Sequence, residues 1–479
     1  MYLGIDIGTS GVKAVLLDRG GGIADQATAS LTVSRPQPLW SEQDPDDWWA
    51  AVETAVLRLD AAQRKAVRGI GLSGQMHGAV LLDAADTVLR PAILWNDGRA
   101  QAQCAELVEI EPRTAAITGN PVLAGFTAPK LLWVREQEPE IFDRLRTVLL
   151  PKDHVRLRMT GEKWTDMSDA SGTLWLDVGK RRWSAEMLAA TGLDESAMPR
   201  LCEGSDVSAP LRADVAKRWG MDVVPVAGGG GDNAAGAVGL GVSEPGEAFL
   251  SLGTSGVIFV VTDGFRPDPG AAVHAFAHAL PDRWHRMSVM LSAASCLDWA
   301  TRMLGLADVA ALLTLAETAD ARSDMLFLPY LSGERTPHAD PSAQAALLGM
   351  TGASGPADLA RAVIEGVAMG LRDGLDALTG AGADFDSLTM AGGGSRSSFW
   401  GGLIAAALGR PLVWREGGEV GPALGAARLG RLAAGDGSIA EVCVAPAITA
   451  TIEPDRALVG RFEERQPRFR AAYSAATLN

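Results

Sequence analysis

The chain has 479 residues, 47% of them hydrophobic and 21% charged, a balance that excludes a disordered or fibrous protein and asks for two or more globular domains. Its 43 basic and 58 acidic residues leave a formal net charge of −15, which repels nucleic acid and anionic membranes; neither is an expected partner. Cys104, Cys202, Cys296 and Cys443 show no CxxC or metal-ligand spacing, so reduced, buried thiols are expected rather than a disulfide framework or a zinc site.

Residues 1–20 lack the basic start and long apolar core of a signal peptide, and no uncharged apolar stretch reaches the roughly 20 residues that cross a bilayer. A cytoplasmic protein is expected. The first predicted element is a β-hairpin, "YLGIDIGTSGVKAVLLD", with alternating apolar residues on both sides of a glycine-rich turn. The pentapeptide GTSGV of that turn, Gly8–Val12, returns at Gly253–Val257 in "EAFLSLGTSGVIFVV", again between two apolar runs.

A glycine-rich turn lets backbone N–H groups converge into an anion-binding concavity, to which the hydroxyls of Thr9 and Ser10 add donors. One such turn is more simply an ordinary tight hairpin. Two identical copies opening two halves of a chain suit a polyphosphate gripped from both sides, with Gly253 and Thr254 as the partners of Thr9 and Ser10. Asp6, two residues before the first turn, is an expensive core residue unless it holds Mg²⁺ beside such phosphates. Lys13 either reaches the phosphates or is a solvated lysine at the end of its strand.

"GIGLSGQMHGAVLLD" (Gly69–Asp83) has the same rhythm and reads as a second hairpin. Its GxGxxG therefore lacks the strand-to-helix context of a dinucleotide site, and no GxxxxGK[ST] occurs. His77 lies there in a Gly-flanked loop, suited to a hydrogen bond with a hydroxylated substrate. Trp95, Asn96, Asp97 and Arg99 in "LWNDGRA" form either an aromatic and polar sugar platform or a structural turn.

Helices follow, among them "TAPKLLWVREQEPEIFDRL" (Thr127–Leu145). "VVPVAGGGGDNAAGAVGLG" (Val223–Gly241) reads as strand, glycine loop and helix, with Asp232 either at the helix N-cap or meeting a ligand at the strand end. Ser243–Gly246 is a turn suited to a domain hinge. After the second hairpin come a long helix over Asp358–Leu378 and another strand, glycine loop and helix, "SLTMAGGGSRSSFWGGLIAAALG" (Ser387–Gly409). That loop either lays adenine or ribose against bare backbone or packs its helix closely on its strand. The C-terminal "ALVGRFEERQPRFRAAYSAA" is an amphipathic helix that docks on its own domain or on a partner.

Together "GIDIGTSGVKAVLLD", "GQMHGAVLLD", "RPAILWNDGRA", "GFTAPKLLWV", "GGGGDNAAGAVG", "LSLGTSGV", "YLSGERTPH" and "AGGGSRSSFW" resemble the FGGY carbohydrate kinases, in order from Tyr2 to about Arg428. The likeness is greatest to members that act on D-xylulose. It implies an α/β fold of two ribonuclease H-like (actin-like ATPase) domains: residues 1–242 bind sugar, residues 243–479 bind nucleotide, and the active site lies in the cleft between them. It also implies ATP and Mg²⁺, with Met76, His77 and Asn233 on the sugar, Asp232 as general base and Asp6 associated with the metal. Gly393 and Gly394 fall in the nucleotide-side glycine loop. Another ketose or polyol (ribulose, glycerol or gluconate) is the alternative substrate, and a homodimer is one assembly the sequence allows. An actin-like or chaperone-type ATPase has no reason to carry Met76–His77, and a sugar-sensing repressor normally brings a DNA-binding module before the first hairpin.

Overall fold

The computed structural model describes residues 1–319, 323–380, 382–392, 397–418 and 420–476. Two seven-stranded sheets form its frame. In the first, Tyr2–Ile7 and Gly11–Leu17 pair antiparallel with Asp6 opposite Lys13, and Ile23–Ser30 adds a third antiparallel strand. On the other side of Tyr2–Ile7 run Ile70–Gly74 and then Pro225–Ala227, both parallel. The second sheet repeats this order. Ala248–Leu252 and Gly256–Thr262 form the hairpin, Trp284–Met290 is the third antiparallel strand, and Leu388–Ala391 and Leu412–Arg415 are the parallel ones. The two GTSGV turns thus occupy one position in two copies of a mixed α/β topology.

The opening strand reads as a continuous apolar run because helices cover both faces of its sheet, and every residue of Tyr2–Ile7 except Asp6 is buried. One covering helix, Gly421–Ala433, comes from the far end of the chain. A Cβ on Gly71 would stand 1.8 Å from the Ala426 carbonyl oxygen, so backbone lies directly on backbone there. The same helix crosses Asp232–Leu240, where a Cβ on Gly425 would stand 1.7 Å from the Ala235 oxygen. Ala237 and Leu240 pack in turn with Phe249 and Phe259 of the second sheet. Each half therefore lends its last sheet-covering helix to the junction. Gly425→Val forces two backbones apart where neither can yield, and is expected to cost about 3 kcal/mol or more; a thermal midpoint equal to wild type would contradict this packing.

Two expected elements differ. Gly69–Asp83 is no hairpin: Ile70–Gly74 joins the first sheet, whereas Val80–Leu82 pairs with Thr147–Leu149 elsewhere. The similar apolar runs reflect two separately buried strands. Thr127–Leu145 is two helices, Thr127–Gln137 and Pro139–Arg144, because Pro139 can open a helix but not continue one.

The turn at Ser243–Gly246 is fixed by the Glu247 carboxylate, which accepts the N–H groups of Ser243 (2.7 Å) and Glu244 (2.8 Å). The C-terminal helix, Arg456–Ala476, docks on its own chain. Buried Glu365 of the helix Pro356–Gly380 pairs there with Arg465 and Arg461, and Asp373 accepts from Arg470 (2.6 Å) and Gln466 (2.8 Å). The four cysteines are unpaired and buried. Among the described residues no helix is long and apolar enough to cross a membrane.

Candidate active site

The register of the first sheet assembles the site. Ile7 pairs with Gly74, and Gly74 with Gly231, across three parallel strands. The residues that follow, the turn from Gly8, then Gln75–Met76–His77, then Asp232–Asn233, consequently leave the sheet together at its carboxyl edge, where open α/β sheets bind ligands. A cavity of about 240 Å³ lies there, lined by Met76, His77, Trp95, Asp232 and Asn233 from the first half and by Ser251, Ser255, His274, Phe276 and Arg335 from the second. The four sequence-selected sugar residues thus face one space, and the second GTSGV turn contributes Ser255 to its wall.

His77 has a left-handed backbone, φ 68°, unusual for a residue with a side chain. Its carbonyl accepts from the buried Lys130 ammonium (2.8 Å) and the Thr127 hydroxyl (3.2 Å), which hold that conformation. Burial brings Lys130 down to about 7. The His77 ring lies 2.7 Å, through Nδ1, from the Gly172 carbonyl, which can only accept; Nδ1 therefore carries the proton and Nε2 is left as an acceptor. A Cβ on residue 172 would meet that ring at 2.6 Å, so the contact requires glycine. Burial pushes the His77 imidazole down to about 3, which keeps it neutral.

Asp232 is the first residue of its helix, with Gly231 at the cap, so its carboxylate is not used as the N-cap. Its Oδ1 accepts from the Asn233 backbone (2.7 Å) and side-chain amide (2.9 Å). Burial, then the negative charge of Asp6, raises it to about 7, where a general base is most effective. Behind it, the Gly231 N–H donates to Ser168 Oγ (3.1 Å), and that hydroxyl donates to buried Asp166. Burial also raises Asp6, against the pull of Ser73 and Lys13. Asp6 Oδ1 is buried and has no partner among the described residues. An unsatisfied carboxylate oxygen beside a second carboxylate fits Mg²⁺, which takes one or two carboxylates and keeps water and phosphate as its other ligands. No group of three or more His, Cys, Asp or Glu suited to a metal occurs among the described residues.

The two turns share a sequence but close on different carbonyls, three residues on in the first and two residues on in the second. Gly8 N–H donates to the Gly11 carbonyl and Gly253 N–H to the Ser255 carbonyl, both at 3.0 Å. The N–H groups of Thr9, Ser10, Thr254 and Ser255 have no acceptor among the described residues. Thr9 departs from expectation in one respect: its hydroxyl donates to Gln75 (2.9 Å) and accepts from the Trp95 indole (2.9 Å), so the first turn offers backbone rather than that hydroxyl. Lys13 stands across from Asp6 but lines a different hollow, with Gln26, Thr28 and Val420. The second turn's Thr254 and Gly253 carbonyls accept the N–H groups of Ala293 (2.8 Å) and Ala294 (3.0 Å) at the start of the helix Ala294–Met303. That helix walls a larger cavity of about 550 Å³, with Leu297, Val309, Leu313 and, beyond the glycine loop, Ser397 and Trp400. Gly393 and Gly394 lie outside the described residues.

"LWNDGRA" divides between the two readings. Trp95 lines the sugar-sized cavity, while Asp97 and Arg99 form a buried ion pair (2.7 Å) with Glu42 also on Arg99, and the guanidinium stacks 3.6 Å over Trp40. Those two residues hold the turn. Asn96 borders another hollow with Trp40. Sequence reasoning did not select Arg335, His274, Phe276 or Lys130. Alternation in "VHAFAHAL" places His274 and Phe276 on one strand face, but nothing local tells which face meets the cavity.

Residues 1–239 match the N-terminal domain and residues 248–434 the C-terminal domain of the FGGY family of carbohydrate kinases. A xylulose kinase of Escherichia coli (strain K12) is 53% identical over 476 residues, 99% of this chain and 98% of the relative. The crystal structure of a "xyloylose kinase" from Brucella ovis superposes with a TM-score of 0.96 at 51% identity, covering 100% of this chain and 99% of that one. A gluconate kinase from Lactobacillus acidophilus reaches a TM-score of 0.93 at 25% identity, covering 99% and 97%. These backbones differ little while the sugars named differ, so side chains rather than fold select the sugar.

Proposed function

The chain belongs to the FGGY family of carbohydrate kinases, and from that premise we infer that it transfers the terminal phosphoryl group of ATP to D-xylulose. One observation carries the mechanism: Asp232, poised near 7 beside Asp6, faces the same cavity as Met76, His77 and Asn233. Asp232 accepts the proton of the C5 hydroxyl as that oxygen attacks the γ-phosphorus. The bond from the γ-phosphorus to the β–γ bridging oxygen breaks, and D-xylulose 5-phosphate and ADP leave. His77 Nε2 and Asn233 orient the sugar, and Met76 and Trp95 cover its carbon faces. The unpaired N–H groups of the two turns cradle the phosphates. The apolar cavity behind the second turn takes the adenine. Asp6 would hold Mg²⁺, which would neutralise phosphate charge when bound. Movement of one half toward the other about the crossed helices excludes water and limits ATP hydrolysis.

All the chemistry comes from one polypeptide, so a homodimer is not required for it; sedimentation velocity distinguishes one chain from two. ATP as donor and four unpaired buried thiols suit a cytoplasmic setting. ADP release coupled to NADH oxidation, measured with D-xylulose, ribulose, glycerol and gluconate, tests the substrate. D-xylulose is expected to give the highest kcat/KM, and a higher value for any of the others would replace it.

The pH profile tests the base. Because the proton acceptor must be ionised, kcat/KM for D-xylulose at saturating MgATP should fall with unit slope on the acid side as Asp232 takes up its proton. A profile with no acid limb of unit slope would contradict the assignment.

A further inference from the structure

The sugar cavity has an acidic pole and a basic one. Asp232 interacts with Asp6 at the first. At the second, the Arg335 guanidinium lies beside His77 and His274 and adds to the lowering of both imidazoles, mainly caused by burial. Arg335 NH2 comes within 4.0 Å of the place a Cβ would take on Gly125, at the Trp95 side of the cavity. Its charged neighbour Glu334 is turned to the backbone, where Oε1 accepts the N–H groups of Leu291 (2.9 Å) and Arg335 (2.7 Å). Among the described residues the guanidinium has no ion pair or hydrogen bond.

The loop that carries Arg335 is fixed. The Thr336 hydroxyl donates to the Ala272 carbonyl (2.7 Å) and accepts the Val289 N–H (3.1 Å). From the C-terminal helix, Tyr473 donates to Asp340 (3.0 Å) and stacks on His338 with ring centroids 3.6 Å apart. A half-buried, all-donor group held this way at the cavity wall is suited to bind acceptors. With the C5 hydroxyl at Asp232, the other end of an open-chain ketopentose reaches the basic pole. That end carries a carbonyl oxygen, which accepts and cannot donate.

We propose that Arg335 binds the C1–C2 hydroxyketone end of the sugar, donating to the carbonyl and C1 hydroxyl oxygens, and thereby selects a ketose over the corresponding polyol. The proposal rests on the phosphorylation of D-xylulose inferred above. It also means that both halves hold the sugar, so sugar binding favours closure.

The test compares wild type, Arg335→Met and Arg335→Lys with D-xylulose and xylitol at saturating ATP, together with titration of an ATP analogue. In Arg335→Met, KM for D-xylulose is expected to rise about 10- to 100-fold, with affinity for the ATP analogue unchanged. The preference for D-xylulose over xylitol should fall toward one. Arg335→Lys keeps the charge but not the fork, and should keep the thermal midpoint while losing most of the preference. Equal losses on both sugars, or an unchanged KM in a folded variant, would overturn the proposal. Failure of wild type to phosphorylate D-xylulose would instead overturn the substrate assignment, independently of any Arg335 variant.

Discussion

Asp232→Ala is expected to lower kcat on D-xylulose about 10²–10⁴-fold, the usual contribution of a positioned base. ATP affinity should change little, because the backbone of the two turns and the cavity behind Thr254 lie outside this side chain. The fold should also survive. Asp232 is half-buried, its two hydrogen-bond partners are groups of the neighbouring Asn233, and its elevated proton affinity marks a carboxylate held in an environment that does not favour its charge. Removing it relieves repulsion with Asp6. Near-normal turnover in the variant would reject Asp232 as the base; lost turnover accompanied by a fallen thermal midpoint would make its role structural.

Lys152→Met is expected to destabilise the protein by about 3–5 kcal/mol, the cost of leaving buried charges uncompensated. Lys152 is fully buried and pairs with Asp153 (2.6 Å), Asp166 (2.8 Å) and Asp169 (3.0 Å), all equally buried. Burial opposes its charge, but the three carboxylates prevail and raise its proton affinity. Without it, Arg156 is left as the cluster's cation, 3.5 Å from Asp153 and committed to the Ala227 and Gly228 carbonyls. The cluster also reaches the site, since Asp166 accepts from Ser168, which accepts the Gly231 N–H next to Asp232. The thermal midpoint should therefore fall and kcat should fall with it below the unfolding range. A midpoint within about 1 °C of wild type would show the cluster to be dispensable.

Legibility in the sequence followed the range of the interactions. The two hairpins were readable because GTSGV and its flanking alternation are local and repeated, Asp232 because it directly follows a run of four glycines, and His77 because it sits in a glycine-bounded loop. "GIGLSGQMHGAVLLD" misled, since two apolar runs around a turn describe strands of one hairpin and strands of two sheets equally well; only the pairing of Ile70–Gly74 with Tyr2–Ile7 decides. The helix Gly421–Ala433 lying on the first sheet was invisible for the same reason, as its small residues specify close approach but not to what. Arg335 was hidden most deeply. It lies about a hundred residues from Asp232 in a string, "YLSGERTPH", whose charged pair separates only in space, with Glu334 turned to backbone and Arg335 to the cavity.

A crystal structure with D-xylulose and a non-hydrolysable ATP analogue tests the central claim most directly. The account predicts the γ-phosphoryl group between the Gly8–Ser10 and Gly253–Ser255 turns, with the C5 oxygen in line with it and within hydrogen-bond distance of Asp232. A triphosphate that leaves either turn empty, or a sugar presenting another hydroxyl to Asp232, would contradict it.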